Sequence, residues 1–261
     1  MRSDPHDRGP LVARESAFHD ALVGDADPAA AAPEEPDSWE QAILAAAGPL
    51  GGLDVLDYGC GTGALSMHLA DGGAARVTGV DVSNVSIAFA RERVRHFRTD
   101  APIEFIRAKA EETGLPADSF DLIAGKFVLH HLDFAAAVNE LHRLLRSGGR
   151  GVFVETSGLN PVSIAVRTHI VHRGRFGAEQ VGTADERPLT RTDLRVLRAR
   201  FPQTRVDYPI VWMFRPFARQ LLARSYPRLG HRIAGLDELV ARRLPALRPL
   251  SYHMRIVVTK P

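Results

Sequence analysis

Val55-Leu56-Asp57-Tyr58-Gly59-Cys60-Gly61-Thr62-Gly63-Ala64 is the stretch that decides the fold. An apolar strand candidate runs through three closely spaced glycines and opens into Ala64 to Asp71, a run that suits a helix. Glycine lets backbone come close to a ligand, and the unpaired N–H groups at a helix start attract an anion. Gly59, Gly61 and Ala64 also satisfy the G-x-G-x-x-A pattern of dinucleotide binders, so the loop alone leaves the ligand open. Asp81 ends the next strand candidate, where an acid can reach ribose hydroxyls.

Outward from this loop, strands and helices alternate. Strands are expected at Asp54 to Asp57, Arg76 to Val80, Ile103 to Ile106, Phe120 to Ala124 and Gly151 to Glu155. Helices are expected at Ala64 to Asp71, Asn84 to Phe97 and Phe134 to Leu145, the last closed by Ser147-Gly148-Gly149. Upstream, Ser38 and Gln41 have capping-box spacing before a helix over Trp39 to Ala47, and Arg14 to Val23 reads as a short helix before a linker from Asp25 to Asp37. Downstream, the rhythm breaks into a Gly/Arg/His-rich stretch to Arg187, a helix from Thr190 to Arg200, and strands over Arg205 to Phe214 and His253 to Thr259. Between those strands, Pro227, Gly230, Gly235 and Pro245 are expected to divide a helical insert into two or three short helices. The pattern predicts an α/β, Rossmann-like, doubly wound and mostly parallel seven-stranded sheet, with helices on both faces, an N-terminal helical cap and C-terminal lid insertions. Residues 1–50 would form the arm and cap, and 51–261 the main domain, with its cofactor half at 51–155 and acceptor half at 156–261.

The composition is that of an ordinary globular chain, with 45% hydrophobic and 25% charged residues. All but three of the 33 basic residues are arginine, yet the net charge is only +2, which argues against a nucleic-acid partner. Apolar runs fall short of a membrane span, the first residues do not read as a secretory signal, and the single cysteine, Cys60, fits reducing surroundings, so a cytoplasmic location is expected. A cysteine-based zinc site is excluded, and no metal is expected.

Asp57 separates the ligands that the glycine loop leaves open. A carboxylate at the end of this strand faces the middle of the ligand, where a dinucleotide carries a doubly anionic pyrophosphate. S-adenosyl-L-methionine has no phosphate; it offers a carboxylate to the helix start, and an ammonium and a sulfonium to an acid.

Together these residues give a resemblance. Val55 to Gly63, Val80-Asp81-Val82-Ser83, Ala110-Glu111-Glu112 with Leu115-Pro116, Ser119 to Ile123, Leu129-His130-His131-Leu132 and Leu144 to Gly149 fall in an order that resembles the class I S-adenosylmethionine-dependent methyltransferases. Within that class the chain resembles the type 11 group, which includes ubiquinone and menaquinone biosynthesis enzymes. The resemblance covers residues 50 to 155. It implies that Asp57, Gly59 and Gly61 line the methionine end, Asp81 the ribose, Val82 an adenine face, the segment at Ala110 and Glu111 the base, and the backbone near Lys126 the methionine, with Cys60 and Gly63 also binding the cofactor. It also implies S-adenosyl-L-homocysteine as product. Lys109 departs from the pattern, which has an Asp before the alanine; lysine and the adenine amino group are both donors, so base contacts shift to the Ala110 backbone or to Glu111.

Methyl transfer is an in-line displacement that positioning and a dry pocket promote, and a hydroxyl acceptor gains from a general base. His131 and His130, after the fourth strand, are candidates for that base; the competing reading is that they cap and pack the next helix. His19 on the N-terminal helix is a further candidate, as is Glu155 at the end of the fifth strand. His169, His172, Arg167 and Arg173 fall where a roof over the acceptor is expected. Val211, Trp212, Met213, Phe214, Phe217, Leu221 and Leu222 suggest an apolar acceptor site, and Arg215, Arg219, Arg224, Arg228 and Arg232 suggest contact with an acidic or lipid-like acceptor or peripheral contact with an anionic membrane. A small-molecule acceptor is therefore expected. Three alternatives stand beside it: a protein that binds the cofactor and templates another reaction such as a cyclisation, an NAD-dependent oxidoreductase, which comes last, and a nucleic-acid methyltransferase. Gly125-Lys126-Phe127-Val128 lacks the Asn/Asp-Pro-Pro-aromatic motif associated with the latter.

Overall fold

The computed structural model describes residues 16–17, 20–21, 23–24, 26–161, 164, 187–215 and 227–261, with the backbone alone at 227–231 and 234. His19, Arg167, His169, His172, Arg173, Phe217, Arg219, Leu221, Leu222 and Arg224 lie outside the described residues, and so does the Arg228 side chain.

The first element is α1, Ser38–Ala47. Its cap is Asp37 and not Ser38: the Asp37 carboxylate accepts from the N–H groups of Trp39 and Glu40, both at 2.8 Å, while the Glu40 carboxylate accepts from the Asp37 N–H at 3.0 Å. The capping box expected one residue later is thus built with charged acceptors, which bond N–H groups more strongly than a hydroxyl does. Ala42, Ile43 and Ala47 are buried against Val55, Leu65 and Val152, so α1 is part of the core.

Seven strands follow the order β3-β2-β1-β4-β5-β7-β6. They are β1 (Asp54–Tyr58), β2 (Arg76–Asp81), β3 (Ile103–Arg107), β4 (Phe120–Lys126), β5 (Leu145–Thr156), β6 (Arg205–Asp207) and β7 (His253–Thr259). The first five are parallel, and β7 runs antiparallel to both β5 and β6. Helices α2 (Ala64–Asp71), α3 (Asn84–Phe97), α4 (Phe134–Leu144) and α5 (Arg191–Arg200) complete the layers. Because β2 and β4 flank β1 on opposite sides, the crossovers diverge at the carboxyl end of β1, the crevice in which open α/β sheets bind ligands.

Three expectations change. Ser147-Gly148-Gly149 does not close a helix; α4 ends at Leu144 and the chain enters β5 at once. Leu144 and Leu145 are fully buried, and the register jumps from Phe120 opposite Leu145 to Leu122 opposite Arg150, so the glycines bulge out of the strand. The strand expected over Arg205 to Phe214 is confined to β6, because Pro209 cannot donate to a ladder. Beyond it, side chains satisfy the backbone: Ser251 accepts from Trp212 N–H, and the buried Asp237 accepts from the N–H groups of Met213, Phe214 and Arg215. Among the described residues of the insert, α6 (Pro227–Arg243) runs unbroken through both glycines and is followed by a 3-10 turn at Pro245–Leu250. Pro227 opens it, where a missing N–H costs nothing, and Gly230 and Gly235 are carried inside at about 1 kcal/mol each. Among the described residues no helix is long and apolar enough to cross a membrane, and no cluster of metal-ligand residues is present.

Candidate cofactor crevice and its surroundings

The glycine loop leaves β1 with Gly59, Gly61 and Gly63 at φ of 74°, 50° and 80°, a region in which a side chain is strained. The three positions differ in what lies over them. A Cβ on Gly59 would meet Val128 at 2.5 Å, and one on Gly63 would meet Phe105 at 2.8 Å, whereas nothing stands within 4 Å of one on Gly61. Gly59 and Gly63 are therefore close-packed and Gly61 faces open space. Gly63 caps α2, and among the described residues no side chain bonds that helix start, so its N–H groups remain available to an anion. Cys60 is buried, its thiol pushed well up by burial, leaving its backbone as the part that belongs to the loop.

Asp57 lies beneath this loop, 1% exposed, with Oδ2 accepting from the Ser66 hydroxyl at 2.5 Å. Burial raises its pKa to about 7; Ser66 and Lys126 pull it down, and Asp81 and Glu40 push it further up. The acid expected at the ligand surface is thus buried, with its carboxylate bonded to Ser66. Asp81 holds the loop directly, accepting from Gly61 N–H and Ser83 N–H at 2.9 Å each, with lone pairs left over for further donors. The adjacent Val82 is partly exposed, and its carbonyl accepts from Arg107.

Ala110 and Glu111 are positioned by their own contacts. The Ala110 carbonyl accepts from the Tyr58 hydroxyl, and Glu111 accepts from Asp133 N–H at 3.0 Å, which ties this loop to the start of α4. At the end of β4, Lys126 Nζ bonds Glu40 at 2.5 Å and Asp37 at 3.0 Å. Burial lowers its pKa, but Glu40 and Asp37 outweigh that and leave it raised. Phe127, next in the chain, has φ of +57°, an unusual value for a bulky residue and one that turns the backbone sharply at the crevice.

Val128 leads into a 3-10 turn, Leu129–His131, at the same edge. The cap of α4 is Asp133, so neither histidine serves it. His130 is buried with Nδ1 2.7 Å from Glu155 Oε2, and the ring of His131 lies 4.2 Å from that of His130. Beside them Trp39, Phe127, Trp212 and His253 pack edge to face or tilted with centroids 5.0 to 5.4 Å apart. Burial, and then His130, lower the His253 pKa to about 3, so His253 is neutral at physiological pH. His253 stands opposite Thr156 at the carboxyl end of β5, which sets this aromatic group on the edge that carries the crevice.

Glu40, Ser66 and His253 escaped the sequence reading. Glu40 sat in a helix with no sign of its partner in β4, and His253 sat in a strand read only for its apolar pattern.

Residues 56–153 match the family model described as a methyltransferase domain. The demethylmenaquinone methyltransferase of Lactococcus lactis is 31% identical over 124 residues, 46% of this chain and 49% of that protein. The ubiquinone/menaquinone biosynthesis C-methyltransferase of Rhizobium meliloti is 32% identical over 124 residues, 46% and 48% of the two chains. The chain thus spans about half the length of these curated relatives. Among solved structures, the [4+2]-cyclase SpnF aligns with a TM-score of 0.62 at 20% identity, covering 96% of this chain and 97% of that one. A phosphoethanolamine N-methyltransferase of Haemonchus contortus gives 0.61 at 19%, covering 96% and 59%. Strands β2 to β4, the glycine loop and the β2 acid just described all fall within residues 56–153, the segment that is similar to a methyltransferase domain.

Proposed function

We propose that this chain binds S-adenosyl-L-methionine in the crevice above Gly61 and transfers its methyl group to a small-molecule acceptor at the carboxyl edge of the sheet. The observation that carries the reading is the charge pattern around Asp57: Asp81 and Glu40 add negative potential, and Lys126 is already engaged by Glu40 and Asp37. A pyrophosphate would be repelled there, whereas an ammonium and a sulfonium are attracted. Bound, the cofactor supplies an electrophilic methyl group.

The chain's own residues fit that ligand. The N–H groups at the start of α2, reached across Gly61 and Gly63, suit its carboxylate, and the backbone of Gly59, Cys60 and Lys126 borders the amino-acid end. Asp81 suits the ribose hydroxyls, Val82 an adenine face, and Ala110 with Glu111 the base edge. His130 and His131 are the candidates to take a proton from the acceptor. The aromatic group of Trp39, Phe127, Trp212 and His253 supports an apolar or aromatic acceptor, since it offers ring faces and a neutral imidazole next to the histidine turn.

Leu236, Leu239 and Leu244 are exposed beside exposed Arg232, Arg242 and Arg243, which supports peripheral contact with an anionic surface. Co-sedimentation with phosphatidylglycerol vesicles at low salt checks it, and absence of binding there excludes it. For the main reading, release of S-adenosylhomocysteine in the presence of aromatic hydroxyl acceptors is expected; tight cofactor binding with no demethylated product from any acceptor would favour a templating role instead.

A further inference from the structure

Glu155 is fully buried near the end of β5, and one short stretch of chain uses its whole carboxylate. Oε1 accepts from Val128 N–H at 2.9 Å and Leu129 N–H at 2.7 Å, and Oε2 lies 2.7 Å from His130 Nδ1. Burying a carboxylate costs several kcal/mol unless its lone pairs are filled, and a strand position that needed only packing is better served by an apolar side chain. The two backbone donors explain Oε1. They do not explain why Oε2 is aimed at a ring nitrogen.

A carboxylate that already accepts two N–H bonds is matched at its second oxygen by a third donor, which sets the proton of His130 on Nδ1. Nε2 then carries the lone pair, and among the described residues none bonds it. The His131 ring, 4.2 Å away and tilted by 34°, hinders rotation of the imidazole. The turn is thus fixed in backbone, ring plane and tautomer by one buried side chain.

We propose that Glu155 is a positioning residue that holds His130 as the Nδ1–H tautomer and presents Nε2 as proton acceptor for a hydroxyl substrate; this rests on the methyl-transfer reading above. A neutral amine needs no such base, so the pair points to a protic O–H acceptor. The acceptor oxygen forms its bond to the methyl carbon as the carbon–sulfur pair returns to sulfur, giving a neutral thioether. The hydroxyl proton passes to His130 Nε2, and Glu155 stabilises the resulting imidazolium.

The test is 15N imidazole NMR on the free protein and on the protein saturated with S-adenosylhomocysteine, with the His130 signal identified by its loss in His130→Asn. The wild-type ring is expected as Nδ1–H. In Glu155→Gln the amide oxygen must still accept from Val128 and Leu129, so the NH2 group faces Nδ1, and the tautomer is expected to reverse to Nε2–H. Affinity for S-adenosylhomocysteine should stay unchanged, while kcat with a phenolic acceptor falls on the order of a hundredfold at similar KM. An Nε2–H wild-type ring, or a tautomer unmoved by the substitution, overturns the positioning role while leaving methyl transfer standing. Failure of S-adenosylhomocysteine to bind overturns the methyl-transfer reading itself, and the proton acceptor with it.

Discussion

Lys126 Nζ donates to Glu40 Oε1 at 2.5 Å, fastening the last residue of β4 to the first turn of α1. The Glu40 side chain is 5% exposed and also lies 3.5 Å from His68, so this pair closes the N-terminal helix over the sheet edge that holds the crevice. Burial on its own raises the Glu40 pKa, but His68, Lys126 and the Asp37 N–H outweigh it and lower the value to about 2. A lowered acid stabilises the fold fully above its unfolded value of 4.5, and that contribution is lost as pH falls through about 2. Lys126→Met should cost roughly 3 kcal/mol in urea unfolding at pH 7 by stranding Glu40, and the double variant with Glu40→Gln should cost less than the sum of the two single changes.

Asp57 has the opposite sign. Its folded pKa of about 7 lies above the unfolded 3.8, so the ligand-free protein gains stability below about pH 4 and loses that contribution as pH rises through about 7. Asp57→Asn should flatten this part of the stability profile, an effect on the order of a few kcal/mol, seen by thermal unfolding between pH 5 and pH 8.

Gly61 and Gly63 should respond differently to the same change. Both would hold alanine at positive φ, at about 1 to 2 kcal/mol each, but only Gly63→Ala drives a methyl into Phe105 and Ala90. Gly63→Ala is expected to lower stability by roughly 1 to 3 kcal/mol more than Gly61→Ala. Gly61→Ala should instead lose cofactor affinity, because its methyl enters the open space; denaturation and calorimetry on both variants separate the two effects.

Asp237 carries the backbone where β6 gives out. Replacing it by alanine leaves the N–H groups of Met213, Phe214 and Arg215 without their acceptor, and should cost roughly 2 to 4 kcal/mol. Limited proteolysis should then cut near residues 212–215 sooner than in the wild type.

How much of this was legible follows from how local each signal was. α2, α3 and β7 stood in the sequence with the bounds found in the structure, since their apolar periods and flanking glycines or caps are local. The cap of α1 shifted by one residue because Asp37 and Ser38 both suit that place, and only the reach of Glu40 decides between them. β6 is shorter than the sequence pattern suggests because hydrophobicity continues past Pro209 although the ladder cannot. In the candidate site, motif spacing singles out Gly61 and Asp81, which the structure joins by a hydrogen bond. The link from Lys126 to Glu40 spans 86 positions and the pairing of Glu155 with His130 spans 25, and no spacing rule in a single sequence encodes either.

The central claim is electrostatic, and calorimetric titration tests it most directly: S-adenosylmethionine against wild type and Asp57→Asn at pH 6 and pH 8, with NAD as the comparison. The expected result is binding of the sulfonium compound alone, tighter at pH 8 than at pH 6 in the wild type, and weaker with little pH dependence in the variant. Equal affinity in both proteins at both pH values, or preferential uptake of NAD, would contradict the account.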